Sequence, residues 1–123
     1  MSVLVTDKGF SPLPELPSSG VADLAHTDDP AALDLAGLTL IRVHVPAFSD
    51  GRGFTIGRRL RMLGYTGELR AVGPIIADQY PMARRVGFDA VEIPDEMAAR
   101  QPEAQWLNRA NWRAHDYQAR LKA

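Results

Sequence analysis

The most constraining feature of this sequence is a regular alternation between β-branched apolar runs and helix-like runs, with glycine or proline at almost every junction. The strand-like runs are 38–45, 68–72 and 88–93, and the helix-like runs are 52–63 and 75–86. Loops of only a few residues separate them, which is typical of parallel strands joined by right-handed crossovers. The pattern predicts a βαβαβ core over residues 38–93.

Weaker signals flank this core. Residues 3–6 predict a strand, and the prolines and glycine that follow predict an irregular arm up to residue 20. Residues 27–30 resemble a helix start, with acidic residues before a proline. A helical turn is expected after residue 95, and a C-terminal helix is expected over 103–121, with Leu107 on its apolar stripe and Trp106 beside it. We therefore expect one α/β domain (1–123): a small, mostly parallel sheet of consecutive βα units with flanking helices.

Composition excludes several classes of function. The chain contains no cysteine, which rules out disulfides, thiolate nucleophiles and cysteine-held iron–sulfur clusters. Fourteen basic and fifteen acidic residues give a net charge of −1, which argues against non-specific nucleic-acid binding. No run has the length of a membrane span, the N-terminus carries no signal-peptide pattern, and the histidines lack metal-ligand spacing. We expect a cytoplasmic protein without metal, membrane or nucleic acid.

The loop between the first core strand and the first core helix has the composition of an anion site. Gly51 and Gly53 let backbone N–H groups approach a ligand, the helix start supplies positive partial charge, and Arg52 can donate two hydrogen bonds. A purely structural interpretation is equally open. In that case Asp50 caps the helix, Gly51 forms the turn, and Gly53 allows close packing on the sheet.

Further candidates lie near the carboxyl ends of the predicted strands, where parallel sheets bind ligands. Gly73, in the next strand–helix loop, and Gln79, one turn into the next helix, join Asp50–Gly53 in the candidate anion site. His44 ends the first core strand and is a candidate general acid or base, together with Asp50 and Asp78. A hydrogen-bonded core histidine and a polar first helical turn are the alternatives for His44 and Asp78.

Arginines supply two more hypotheses. Arg70 lies inside a predicted strand, so it either joins the anion site or pairs with Glu68 or Glu92, because an unpaired buried charge is costly. The first core helix carries three arginines that predict either a basic surface for an acidic partner or a solvated face: Arg58, Arg59 and Arg61.

Several motifs between Phe48 and Phe88 resemble a known bacterial family. They read FSDGRGF at 48–54, RRLR at 58–61, GYTGELRAVG at 64–73, DQ at 78–79 and RRVGFDA at 84–90. The resemblance is to domain of unknown function family 934. Two positions differ from its usual pattern: Pro74 stands where a charged residue is common, and Val86 stands where a cysteine is common.

The resemblance implies a setting in sulfur assimilation. Members are typically encoded beside assimilatory sulfite reductase genes and are often described as oxidoreductases of sulfite reduction. Redox chemistry requires a cofactor or a redox side chain. This sequence has no cysteine, dinucleotide fingerprint or haem signature, so we expect no cofactor.

Three interpretations of function follow. The first is an accessory protein that binds sulfite reductase or another sulfur-assimilation enzyme. The second is a small enzyme or binding protein for a phosphate- or sulfite-like anion around Asp50–Gly53. The third is a homo-oligomer assembled through the arm and the C-terminal helix.

Overall fold

Six strands form one mixed sheet in a computed structural model that describes residues 2–47 and 51–110. The strands are β1 (Ser2–Thr6), β2 (Gly9–Pro12), β3 (Val21–Ala25), β4 (Leu40–His44), β5 (Glu68–Val72) and β6 (Ala90–Pro94). The helices are α1 (Arg52–Met62), α2 (Tyr80–Val86), α3 (Asp95–Arg100) and α4 (Glu103–Arg109). The fold is α/β, as the sequence predicted.

The sheet order is β2-β1-β6-β5-β4-β3, so the four strands from β3 to β6 lie side by side in chain order. These four strands are parallel, whereas β1 pairs antiparallel with β6 and with β2. The predicted parallel core is confirmed. Because the strands advance in one direction, right-handed connections place their helices on one face of the sheet.

The helix-covered face holds the main hydrophobic core. Ile41, Leu69 and Val91 are fully buried there together with Leu60 of α1. Gly53 brings the start of α1 close to the sheet, since a Cβ on it would stand 2.7 Å from a methyl carbon of Val45. The close-packing interpretation of this glycine is therefore supported by the structure.

The N-terminal third contains two strands that the sequence pattern did not reveal. β2 lies inside the proline-rich segment, where Pro12 is tolerated because the strand is at an edge of the sheet. β3 forms the opposite edge and buries one large side chain, Leu24. The helix expected after residues 27–30 is a single 3₁₀ turn, Pro30–Ala32. The Ala31 N–H donates a hydrogen bond to the Asp29 carboxylate at 3.0 Å, so Asp29 caps this turn.

The two helices after β6 lie where the sequence predicted them, but the buried face of α4 differs from the prediction. α3 and α4 occupy the expected positions, and residues 111–121 of the predicted C-terminal helix lie outside the described residues. The predicted apolar stripe was wrong by one position. Trp106 is 1% exposed and packs edge-on against Phe10 and Tyr80, whereas Leu107 is 43% exposed. Leu63, which directly follows α1, is likewise exposed.

Gly73, directly after β5, is the glycine that the fold requires most clearly. Its φ of +148° disfavours other residues, and a Cβ there would collide with the carbonyl oxygen of Val45. We expect Gly73→Ala to lower the free energy of unfolding by about 1–3 kcal/mol, measured by urea denaturation. Gly51→Ala is the control, since Gly51 has a φ of −85° and open space around it. Equal stability of the two variants would contradict this assignment.

Candidate functional site

The loops that follow β4 and β5 meet at one edge of the sheet, as parallel pairing requires. The Val45 N–H donates to the carbonyl oxygen of Val72 at 2.7 Å, and the Gly73 N–H donates to that of Glu92 at 3.0 Å. Gly51 directly precedes α1 at this edge. Asp50, a candidate ligand and acid or base, lies outside the described residues.

A cleft of about 420 Å³ opens between α1 and α2 near this edge. Its lining is Gly51, Phe54, Thr55, Arg58, Asp78, Gln79, Met82 and Val86. Three of these side chains are apolar, and Met82 is 54% exposed although it is large and hydrophobic. The cleft therefore combines an apolar wall with a polar rim.

The polar side chains of the rim differ in how far they are already engaged. Asp78 accepts two hydrogen bonds from Arg109, at 2.6 and 3.2 Å, which neutralise its charge. The side-chain oxygen of Gln79 accepts a hydrogen bond from the Ile76 N–H at 3.3 Å. Arg58 is exposed and has neither an ion pair nor a hydrogen bond with any part of the chain that the structure describes. The charge that the rim offers to a ligand is positive.

Neither α1 nor α2 contains an acidic residue, while α1 has four arginines and α2 has two. Two of the six arginines hold the fold together. Arg61 donates to the carbonyl oxygens of Gly87, Tyr65 and Gly67 and to the Asp89 carboxylate at 2.8–3.0 Å.

Arg84 is the second structural arginine, since it donates to the Phe88 carbonyl oxygen at 2.6 Å and to Asp7 at 3.3 Å. Arg59, by contrast, is 52% exposed and lies 3.8 Å from Asp29. Of the three arginines predicted as a partner surface, Arg58 and Arg59 are thus available to a partner, and Arg61 is occupied by internal contacts. We call Arg58, Arg59, Met62 and Met82 the α1–α2 surface; both methionines are more than half exposed, at 75% and 54%.

The opposite face of the sheet carries a charged network and no helix among residues 2–47 and 51–110. Arg42 donates to both carboxylate oxygens of Glu92, at 2.9 and 2.7 Å, and this hydrogen bonding raises the pKa of Arg42. Arg70 donates to Glu68 at 2.6 Å and to Glu92 at 3.4 Å. Glu92 is 1% exposed and Arg70 is 5% exposed. Arg70 therefore lies in ion pairs on the face away from α1, whereas the other described candidates of the anion site lie at the strand ends.

His44 lies on the same face as Arg42, two residues further along β4. Its Nε2 is 2.8 Å from an Asp23 carboxylate oxygen, which also accepts a hydrogen bond from Arg42 at 2.9 Å. The structure does not bring the acid–base candidates together, because Asp78 lies at the cleft on the helix side. Asp23 was not predicted as a partner of His44 because β3, the strand that carries it, was not predicted. The sequence of β3, VADLA, does not alternate between polar and apolar residues, so it carries no clear strand signal.

Comparison with known proteins adds one finding to this geometry. The profile of the family described as "Bacterial protein of unknown function (DUF934)" matches residues 21–123. The chain belongs to this family. The match covers the four parallel strands of this DUF934 protein and both helices of the cleft, and the resemblance seen in its motifs is confirmed. Searches of curated proteins and of solved structures gave no match.

Two further observations bear on the expected classes of ligand. No helix in residues 2–47 and 51–110 of this DUF934 protein combines the length and the apolar character needed to cross a bilayer. Within the same residues, histidine, aspartate and glutamate side chains form no group of three that could hold a metal ion.

Proposed function

We propose that this protein is an accessory component of assimilatory sulfite reduction that binds a partner enzyme and carries no redox chemistry of its own. The observation that carries the proposal is Arg58, an exposed arginine that forms no ion pair or hydrogen bond within residues 2–47 and 51–110, on a surface that also presents Met62 and Met82. The family resemblance supplies the setting, and with it sulfite reductase as the first partner to test.

Charge favours an acidic partner. With no carboxylate in α1 or α2, the field of their arginines steers an acidic surface toward this side of the molecule. The exposed methionines add apolar contact area that adapts to the shape of a partner. Arg61 and Arg84 fix the two helices to the loops below them, so the surface is rigid before it binds.

Co-purification with sulfite reductase tests this proposal. We expect Arg58→Glu/Arg59→Glu to reduce the amount of captured enzyme at least tenfold at low salt, because two attractive charges become repulsive. Arg61 stays unchanged in the test, since its loss would disturb the fold. The matched control is Lys8→Glu/Arg100→Glu, which reverses two charges at exposed positions elsewhere. Equal capture by both double variants would overturn the proposal.

The cleft favours a second candidate, a site for a small phosphate- or sulfite-like anion. Gly51, Arg52 and Gln79 lie at the same edge of the sheet, and Arg58 borders the same cleft. Calorimetric titration with sulfite, sulfate, phosphate and adenylated sulfur compounds tests it. Heats that disappear in Arg58→Gln support an anion site, and flat titrations at millimolar ligand reject it.

A further inference from the structure

We infer that the cleft between α1 and α2 receives one apolar side chain from an acidic segment of the partner protein. This inference rests on the proposed function for the existence of a protein partner, but it does not depend on which enzyme the partner is. It names the chemistry that the partner must present: an apolar anchor with carboxylates beside it.

The wall of the cleft supports an apolar occupant. The ring of Phe54 forms one side and is held edge-on against Phe88, with ring centroids 6.0 Å apart. Met82 and Val86 of α2 form the facing side. Phe54 is already largely buried, so an apolar side chain in the cleft chiefly removes Met82, which is 54% exposed, from water, and this stabilises a complex. A bare oxyanion would leave these surfaces wet, and 420 Å³ far exceeds its size.

The rim supports acidic neighbours for that anchor. Arg58 is exposed at the rim and has no ion pair or hydrogen bond with the described part of the chain, and Asp78, the carboxylate among the lining residues, is already bound by Arg109. An approaching carboxylate thus meets one cation, and the repulsion from Asp78 is reduced by its ion pair with Arg109. Methionine is suited to such a site because its unbranched side chain adapts to different apolar anchors.

The test uses labelled peptides and the full chain. A fluorescein-labelled peptide with one phenylalanine between two groups of three glutamates is compared, by fluorescence anisotropy, with the same peptide carrying alanine in place of phenylalanine. We expect the phenylalanine peptide to bind at least tenfold more tightly, because only its ring fills the cleft.

Methionine methyl NMR locates the binding. The chain has four methionines, and we expect the phenylalanine peptide to shift the Met82 signal and to leave that of Met97, in α3, in place. Met82→Gln should weaken the peptide at least threefold, whereas the control Leu16→Gln, at an exposed apolar position between β2 and β3, should not.

Three other outcomes would overturn the inference. Equal affinity of the two peptides would indicate charge attraction alone, and a shift at Met62 without one at Met82 would place binding outside the cleft. Displacement of the peptide by inorganic sulfate with no effect of Met82→Gln would indicate a small-anion site. A fourth outcome would separate the two proposals. If sulfite reductase is not captured but the phenylalanine peptide binds and Met82→Gln weakens it, the proposed partner is refuted and the cleft remains a peptide site.

Discussion

Replacing Glu92 by alanine is expected to lower the free energy of unfolding by about 3–5 kcal/mol. Glu92 is 1% exposed and accepts hydrogen bonds from Arg42 and Arg70. Its removal leaves two guanidinium groups close together on the sheet without the carboxylate between them. Arg42 and Arg70 each keep one partner, Asp23 and Glu68, but the repulsion between these two largely buried charges is no longer offset by the carboxylate between them.

Urea denaturation followed by far-UV circular dichroism measures this loss. The control is Glu68→Ala, because Glu68 also bonds Arg70 but its side chain is 40% exposed, so its loss should cost less than about 1 kcal/mol. If the two variants unfold at the same urea concentration, Glu92 does not hold the network together.

The second large effect is expected from Trp106→Ala, at about 3–5 kcal/mol. Trp106 anchors the described end of the chain: its ring packs against Phe10 and Tyr80, and its indole N–H donates to the Gln101 carbonyl oxygen at 2.9 Å. Truncation removes a fully buried aromatic side chain and leaves a cavity between α4, β2 and α2.

Leu107→Ala is the control for this variant, since the neighbouring Leu107 is 43% exposed and should cost less than about 1 kcal/mol. Circular dichroism is preferred to tryptophan fluorescence because Trp106 is one of only two tryptophans in the sequence. A larger loss from Leu107→Ala than from Trp106→Ala would restore the apolar stripe that the sequence predicted.

The parallel core was predictable because its signals are local. The bounds of β5 (Glu68–Val72) agree with the predicted strand, and α1 ends one residue before the predicted helix does. The glycines that directly follow the two helix-like runs, Gly64 and Gly87, both have positive φ, at +99° and +120°. Each of these features depends on a run of adjacent residues, which a sequence displays directly.

The candidate site was predictable only in part, because its contacts join distant residues. Arg42 and Glu92 are 50 positions apart, and only strand order and register bring them together. On α4 the sequence predicted that Leu107 would be buried, but its neighbour Trp106 is buried instead. The residues that bury Trp106, Phe10 and Tyr80, are distant in the sequence. The apolar wall of the cleft combines Phe54 and Met82 from two helices, which no spacing rule relates.

The β1–β2 hairpin precedes the residues that match the family, yet it covers the flank of β6. Without it, the backbone amides of β6 would be open to strands of other molecules, a common origin of aggregation. The hairpin moves that open flank outward to β2, which is four residues long and ends at Pro12. The Phe10 N–H of β2 also donates a hydrogen bond to the Glu103 carboxylate, at 2.7 Å. The segment outside the family match thus supplies one of the two edge strands of the described sheet, and β3 forms the other.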